Sequence, residues 1–223
     1  MKNPVHQPRN SESGDVPTLP EIPVWRCLCV MAVFTLALLE GVLFAHPDQV
    51  LSDPRWDLNY YFLHWRYFGF HELQSGHLAL WNPHTSSGAP FFGNFQSALL
   101  YPLNFLYLVL PLAAAINWTI ALHVFLGGVF TFYWVRHRGL HSIACLLAGV
   151  MFMCCGPHFL QIQTGHLPNL ATLIWAPLLF LAIDQQMDRP GLAPVLLGMF
   201  AFAMAVMAGH PQYVFYLGVA SGI

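Results

Sequence analysis

The chain of 223 residues is 57% hydrophobic, carries charge on only 8% of its residues and has a net charge of −2 at pH 7. Soluble domains usually carry charge on about a quarter of their residues, so lipid must cover much of this protein. The nearly neutral chain offers no basic surface, which excludes binding to nucleic acid.

A polar tail and a series of apolar segments follow one another along the chain. Residues 1–23 are rich in proline and predict a disordered tail. The apolar run at 24–45 is long enough to cross roughly 30 Å of hydrocarbon at about 1.5 Å per residue. A long loop at 46–112 follows. Further spans are predicted at 113–135, 142–161, 170–183 and 192–208. The order predicts an all-α, polytopic transmembrane helix bundle at 24–223.

The last segment of the chain is shorter than a span. A sixth apolar run begins after 209–212, but 213–223 is too short to cross a bilayer. We therefore expect about five spans and a partial sixth, in a chain that is truncated or a fragment. The alternative is a re-entrant end that packs against the bundle.

The positive residues predict the orientation of the bundle. Six of the eight lysines and arginines fall on one side if the spans alternate: Lys2, Arg9, Arg26, Arg136, Arg138 and Arg189. Basic residues concentrate in the cytoplasmic segments of membrane proteins. The N-terminus is therefore predicted to be cytoplasmic, and the loop at 46–112 and the turns near 162–169 and 209–212 are predicted to face outward.

Two segments of the long loop predict interfacial helices. Between Leu58 and Leu73, apolar residues recur at helical spacing, which predicts an amphipathic helix on the membrane surface that stops at Gly76. The mostly apolar run at 97–110 ends at Pro111 and is short for a span, so we expect an interfacial or re-entrant helix there.

Several motifs resemble those of the YfhO-like bacterial membrane proteins. In the long loop they are DLNYY at 57–61, SGHLALWNPH at 75–84, GAPF at 88–91, NFQSA at 94–98 and YPLN at 101–104. Later motifs are GHL at 165–167, WAP at 175–177 and GHPQY at 209–213. The resemblance covers about 24–223. The Trp-Asn-Pro segment with the following Gly-x-Pro is its more specific part, whereas the Gly-His pairs alone are weak.

This resemblance implies a glycosyltransferase with the C-type membrane fold (GT-C). Such an enzyme takes a sugar from a polyprenyl-phosphate carrier and passes it to a cell-envelope acceptor on the outer face of the bacterial inner membrane. An acidic residue in the first outer loop is its catalytic centre, and Asp57 matches that position best, with Asp53 as the second choice. Family members have more spans and often a C-terminal outer domain, so this chain departs from them in length.

The chemistry then assigns roles to other residues of the loop. Asp57 would accept the proton of the acceptor hydroxyl. Arg55 and Arg66 are the two outer arginines and suit a lipid phosphate, although each is equally expected as an anchor to headgroups. Trp81 is expected to stack on a sugar, and hydrogen bonds to its hydroxyls are expected from Asn82, Asn94 and Gln96. The alternatives are turn chemistry for Asn82 and an interfacial aromatic belt for Trp81.

Histidines are frequent on the outer side. Eight of the twelve lie there: His46, His64, His71, His77, His84, His158, His166 and His210. His166 and His210 each open an outer turn between spans, and we expect them to line a substrate cleft. A metal site is conceivable because imidazole suits zinc, but no motif supports it. Whether a divalent cation assists is left open.

Two rival functions remain open at this stage. A transporter or channel would place charges inside its spans, where this chain has little beyond Glu40 and His123. Surface chemistry is therefore favoured over conduction. A non-catalytic scaffold for envelope assembly would instead tolerate the replacement of Asp57 while keeping its partners.

Overall fold

Helices make up most of the described chain, which comprises residues 20–85 and 87–222 of a computed structural model. The predicted tail lies almost entirely outside the described residues. Helix α1 is Val24–Leu38, and a π-helical turn at Gly41–Ala45 follows it. Another π-helical turn, Leu58–Phe62, continues directly into α2, Leu63–Gln74. Two short strands, β1 (Trp81–Asn82) and β2 (Ala89–Pro90), pair antiparallel, and 3₁₀ turns at Phe95–Ser97 and Pro102–Leu108 come next.

The second half of the chain is a run of helices. They are α3 (Leu112–His137), α4 (Ser142–Met153), α5 (Gly156–Thr164), α6 (Leu167–Leu173), α7 (Ala176–Asp188), α8 (Leu192–Met207) and α9 (Pro211–Ser221). Helices α5, α6, α7 and α9 carry proline in their first turn. Proline starts a helix well but cannot donate to the preceding turn. This divides the predicted third span into α4 and α5, and the predicted fourth into α6 and α7.

Within the described residues, three helical stretches are long and apolar enough to cross a membrane. They are Leu112–His137, Ser142–Thr164 and Leu167–Asp188, and α1 and α8 are shorter apolar helices. The expected all-α architecture is therefore confirmed, and the length and composition of these helices agree with the expected association with a membrane. The number of spans stays a prediction.

Helix α3 lies at the centre and packs against α1, α4, α6 and α7. Its contact with α4 depends on two facing glycines. A Cβ added at Gly149 would come within 2.9 Å of the Gly128 carbonyl oxygen, and one added at Gly128 would clash with Met153. Small residues let membrane helices approach backbone to backbone, and here they set the spacing of α3 and α4.

The two ends of the bundle have different chemistry. At one end, which we call the arginine side, Arg138 pairs with Asp184 at 2.8 Å, and the indole of Trp134 donates to the same carboxylate at 2.8 Å. His137 lies 3.0 Å from Asp188. These contacts fasten α3 to α7. The opposite end, which we call the loop side, carries residues 46–111.

The helix at the start of the loop differs in part from its prediction. It runs through Leu58–Gln74, and Gly76 follows with a φ of +81°, as the stop signal indicated. Its buried face includes Arg66, whereas Tyr61 is half exposed. The segment expected as a helix at 97–110 forms 3₁₀ turns, because Pro102 interrupts it and the Asn104 amide donates to the Ala98 carbonyl at 3.0 Å.

Asn117 joins the loop to the bundle. This buried side chain on α3 donates to the carbonyls of Val42 at 3.0 Å and Gln49 at 2.7 Å, and it accepts from the Leu51 amide at 3.2 Å. One side chain thereby satisfies three backbone groups at the point where the chain leaves α1 and turns back.

We expect Asn117→Ala to destabilise the protein by about 3 kcal/mol, because unsatisfied buried polar groups cost roughly 1–3 kcal/mol each. Thermal unfolding in detergent, followed by circular dichroism, measures the effect. Asn59→Ala removes the same side chain from an exposed position in the loop and is expected to change little. If the two variants unfold at the same temperature, the three hydrogen bonds of Asn117 do not hold the loop.

Candidate active site

Two glycines bring the turns of the loop side against the long loop. Gly165 has a φ of +74°, and a Cβ there would lie 2.6 Å from the Leu58 amide nitrogen and 2.8 Å from its Cα. Gly209 has a φ of +97°, and its Cβ would meet the backbone of Phe95. Only glycine combines this backbone conformation with such close contact. Both Gly-His pairs therefore dock on the loop through the glycine and present the histidine beside it.

The first of these histidines pairs with the predicted catalytic acid. His166 Nε2 lies 2.8 Å from Asp57 Oδ2, although the two residues are 109 positions apart in sequence. Asp57 precedes the π-helical turn at 58–62, and His166 precedes α6. Both side chains are partly exposed, so the pair adds little to stability. Its consequence is geometric, because the imidazole fixes one carboxylate oxygen and leaves Oδ1 available.

A network behind His166 fixes the ring. His166 Nδ1 lies 3.2 Å from Gln161 Oε1, and that oxygen also accepts from the Asn169 amide at 2.8 Å. The Gln161 amide in turn donates to the Tyr213 hydroxyl at 3.3 Å. In this amide orientation the two imidazole nitrogens face Gln161 Oε1 and Asp57 Oδ2, so contacts on both sides hold the ring in place.

Asp57 and His166 open into a cavity of about 400 Å³. It is lined by Asp57, Tyr61, Phe62, Trp65, Gln96, His166, Asn169 and His210. Four residues expected from the sequence thus come together: Asp57, Gln96, His166 and His210. Sequence reasoning missed Tyr61, Trp65 and Asn169 as site residues. Helical spacing could have found them, since Tyr61 and Trp65 lie four and eight positions after Asp57 and Asn169 lies three after His166.

The second Gly-His pair supplies a neutral donor. His210 Nδ1 accepts from the Tyr213 amide at 3.3 Å, so the proton of the neutral ring resides on Nε2. Burial lowers the pKa of His210, and the nearby charge of His166 lowers it further. His210 is therefore uncharged at neutral pH and can donate one hydrogen bond into the cavity.

Asp53 and Arg55, both predicted for the site, pair with each other. Arg55 Nη2 lies 2.6 Å from Asp53 Oδ2, and the guanidinium lowers the pKa of Asp53 to about 2. The Arg55 side chain is 83% exposed. Neither residue lines the Asp57 cavity. Asp53 instead borders a separate cavity of about 550 Å³ between α1 and α5.

Arg66, expected to bind phosphate, is only 2% exposed. Its guanidinium donates to the carbonyls of Gln96, at 3.3 Å, and Ser97, and it lies over the Tyr107 ring with 5.8 Å to the centroid. Burial lowers its pKa. Arg66 does not line the Asp57 cavity. It holds the backbone of the segment that carries Gln96.

The other three predicted residues build turns of the loop. The Asn82 amide donates to the Thr85 hydroxyl at 3.0 Å, and its oxygen accepts from the His84 amide at 2.9 Å. Trp81 pairs with Pro90 across the small hairpin and covers Gly88. Asn94 caps the 3₁₀ turn by accepting from the Gln96 amide at 3.1 Å. Asn82 and Asn94 thus show the turn chemistry weighed for Asn82, and neither they nor Trp81 line the Asp57 cavity.

Neither a metal-binding cluster among the described residues nor a similar known protein indicates the function of the site. Across residues 20–85 and 87–222, no group of three or more His, Cys, Asp or Glu side chains is placed to hold a metal ion. Comparison with protein-family models, with curated proteins and with solved structures finds no match for the chain. The function is therefore argued from the side chains of the site.

Proposed function

We propose that this chain is a membrane glycosyltransferase that passes a sugar from a polyprenyl-phosphate donor to a cell-envelope acceptor. The proposal includes the YfhO-like resemblance and the C-type fold. It also includes a multi-pass placement in the bacterial inner membrane with a cytoplasmic N-terminus and the loop side outward. The observation that carries it is the Asp57–His166 pair, which opens into a cavity at the end of an apolar helical bundle. A lipid-borne donor and a water-borne acceptor would meet at that position.

The transfer needs one base. Asp57 Oδ1 takes the proton of the acceptor hydroxyl while that oxygen forms its bond to the anomeric carbon. The bond from the anomeric carbon to the phosphate oxygen breaks, and the leaving polyprenyl phosphate keeps its electron pair. His166 holds Oδ2 at 2.8 Å and thereby directs the other oxygen into the cavity.

The leaving phosphate needs hydrogen-bond donors or positive charge. The two outer arginines do not line the cavity, so the proposal assigns this role to other residues. His210 offers its Nε2 proton and Gln96 its amide. Tyr61 and Trp65 provide aromatic faces against which a sugar ring can lie.

Transfer of a radiolabelled hexose from a polyprenyl-phosphate donor tests the proposal in membrane vesicles with and without the chain. We expect label to reach the acceptor fraction only when the chain is present. Uptake of a labelled solute by the same vesicles, without transfer, would support the transporter. Loop-dependent capture of partner proteins, without transfer, would support the scaffold.

Asp53→Asn is expected to leave the transfer rate and its pH profile unchanged. The folded-state pKa of Asp53 is depressed to about 2, so the carboxylate stays ionised, and its pair with Arg55 intact, until the pH falls toward that value. If the transfer rate falls as the pH is lowered from 7 to 4, the protonation of another group therefore causes that fall. A pH–rate profile of the variant checks this. A shifted acid limb would return Asp53 to the chemistry.

A further inference from the structure

A second cavity, which we call the α2 groove, runs along the exposed side of α2. Its volume is about 660 Å³, larger than that of the Asp57 cavity. It is lined by Tyr60, Tyr61, His64, Trp65, Tyr67, Phe68, His71, Glu72, Asn82, His84 and Thr85. The first eight lie on one helical face, and the last three come from the small hairpin. The Asn82 turn therefore builds one wall of this groove.

The α2 groove adjoins the Asp57 cavity. Tyr61 and Trp65 line both, and their ring centroids are 6.0 Å apart. A ligand that occupies the Asp57 cavity can therefore extend past these two rings without leaving the protein surface. Beyond Trp65 the groove follows α2 for about two further turns, to Glu72.

The chemistry of the groove matches a neutral saccharide. Flat rings alternate with hydrogen-bonding groups, and the Tyr67 and His71 rings stack at 5.6 Å with an interplanar angle of 4°. Among the described residues that line the groove, Glu72 is the one carboxylate and there is no lysine or arginine, so these residues provide no fixed cation for a phosphate chain. Sugar rings present apolar C–H faces to aromatic rings and hydroxyls to polar groups at their edges.

Three polar side chains of the groove are available to a ligand. Among the described residues, the side chains of Tyr60, His64 and Tyr67 make no hydrogen bond within the protein. Tyr60 and Tyr67 are 64% and 61% exposed. Packing of the chain therefore does not explain why these rings lie side by side on one face.

We infer that the α2 groove binds successive sugar units of an oligosaccharide acceptor whose terminal hydroxyl reaches Asp57. This inference rests on the proposed function and narrows its acceptor to a neutral glycan chain. Each additional unit in the groove gains one ring contact. Affinity therefore rises with acceptor length until the groove is filled.

Binding is measured on the full chain in nanodiscs by saturation-transfer NMR and calorimetry. The probes are malto-oligosaccharides and β-linked N-acetylglucosamine oligomers of one to four units. We expect the tetrasaccharide of one of these two series to bind about tenfold more tightly than its monosaccharide. We expect Tyr67→Ala to remove this increase of affinity with length. Tyr133→Ala, a half-exposed tyrosine on α3, is the matched control and is expected to keep it.

The outcomes separate the groove from the enzyme. If binding becomes tighter with acceptor length but no sugar is transferred, the proposed glycan binding in the α2 groove stands and the proposed glycosyltransferase activity is wrong. If transfer depends on Asp57 but not on acceptor length or Tyr67, the proposed glycosyltransferase activity stands and the proposed glycan binding in the α2 groove is wrong. If Tyr67→Ala instead weakens only the association of the chain with lipid, the rings are headgroup anchors and the inference is wrong.

Discussion

Asp57→Asn is expected to lower the rate of sugar transfer by about 10³-fold while the protein inserts and folds normally. The amide has nearly the same shape as the carboxylate and can still meet His166, but it cannot take a proton from the acceptor. General-base catalysis contributes roughly 10²–10⁴-fold to enzyme rates, which sets the expected size of the loss. Single-turnover transfer from the labelled polyprenyl-phosphate donor measures it.

Asp48→Asn is the matched control for this variant. Asp48 is an exposed aspartate in the same loop, ahead of the site, and it does not line the Asp57 cavity. We expect full activity from it. Equal transfer by Asp57→Asn and the wild type would remove Asp57 from the chemistry. Loss in both variants would indicate a general effect of loop charge.

Gly165→Ala is expected to disrupt the site without touching a reacting group. The new methyl group would meet the backbone of Leu58, which is fixed within a helical turn and cannot rotate away. Overpacking costs roughly 1–3 kcal/mol and the positive φ about 1–2 kcal/mol more. The turn must move away from Leu58, and His166 moves with it away from Asp57. A displacement of about 1 Å is enough to cost roughly 10²-fold in rate.

Gly139→Ala is the control that tests the backbone conformation alone, without a close contact like that between Gly165 and Leu58. Gly139 has nearly the same φ, +79°, but a Cβ there meets nothing within 4 Å. We expect Gly139→Ala to destabilise the protein only by the cost of the left-handed conformation, about 1–2 kcal/mol, and to leave the transfer activity unchanged. Thermal unfolding and transfer are measured on both variants. If Gly165→Ala behaves like Gly139→Ala, the close contact with Leu58 does not position His166.

The site could be anticipated from the sequence where its signals are local. Each Gly-His pair opens a turn between apolar segments, which is enough to place His166 and His210 at the ends of helices. Asp57 stood out because it begins a motif of the family resemblance. The distance of 2.8 Å between Asp57 and His166 could not be anticipated, because it depends on the packing of Gly165 against Leu58.

Arg66 and Asp53 show where local reasoning fails. Both are charged residues in a polar loop, and composition alone treats them as solvent-facing. Arg66 becomes buried because its helix packs on 95–108, where two backbone carbonyls need a donor. Asp53 turns to Arg55 two residues away, a contact of the folded turn that no periodicity encodes.

By itself, the sequence determined that the chain forms apolar helices, where the apolar segments lie along the chain, and which end of the bundle carries the long loop. These properties follow from hydrophobicity, proline and glycine, which act within a few residues. Only the tertiary structure decided which acid meets a histidine, which arginine is buried and which aromatic rings share a groove. Those properties depend on contacts between segments that are distant in sequence, such as the 109 positions between Asp57 and His166, and packing, not local propensity, selects them.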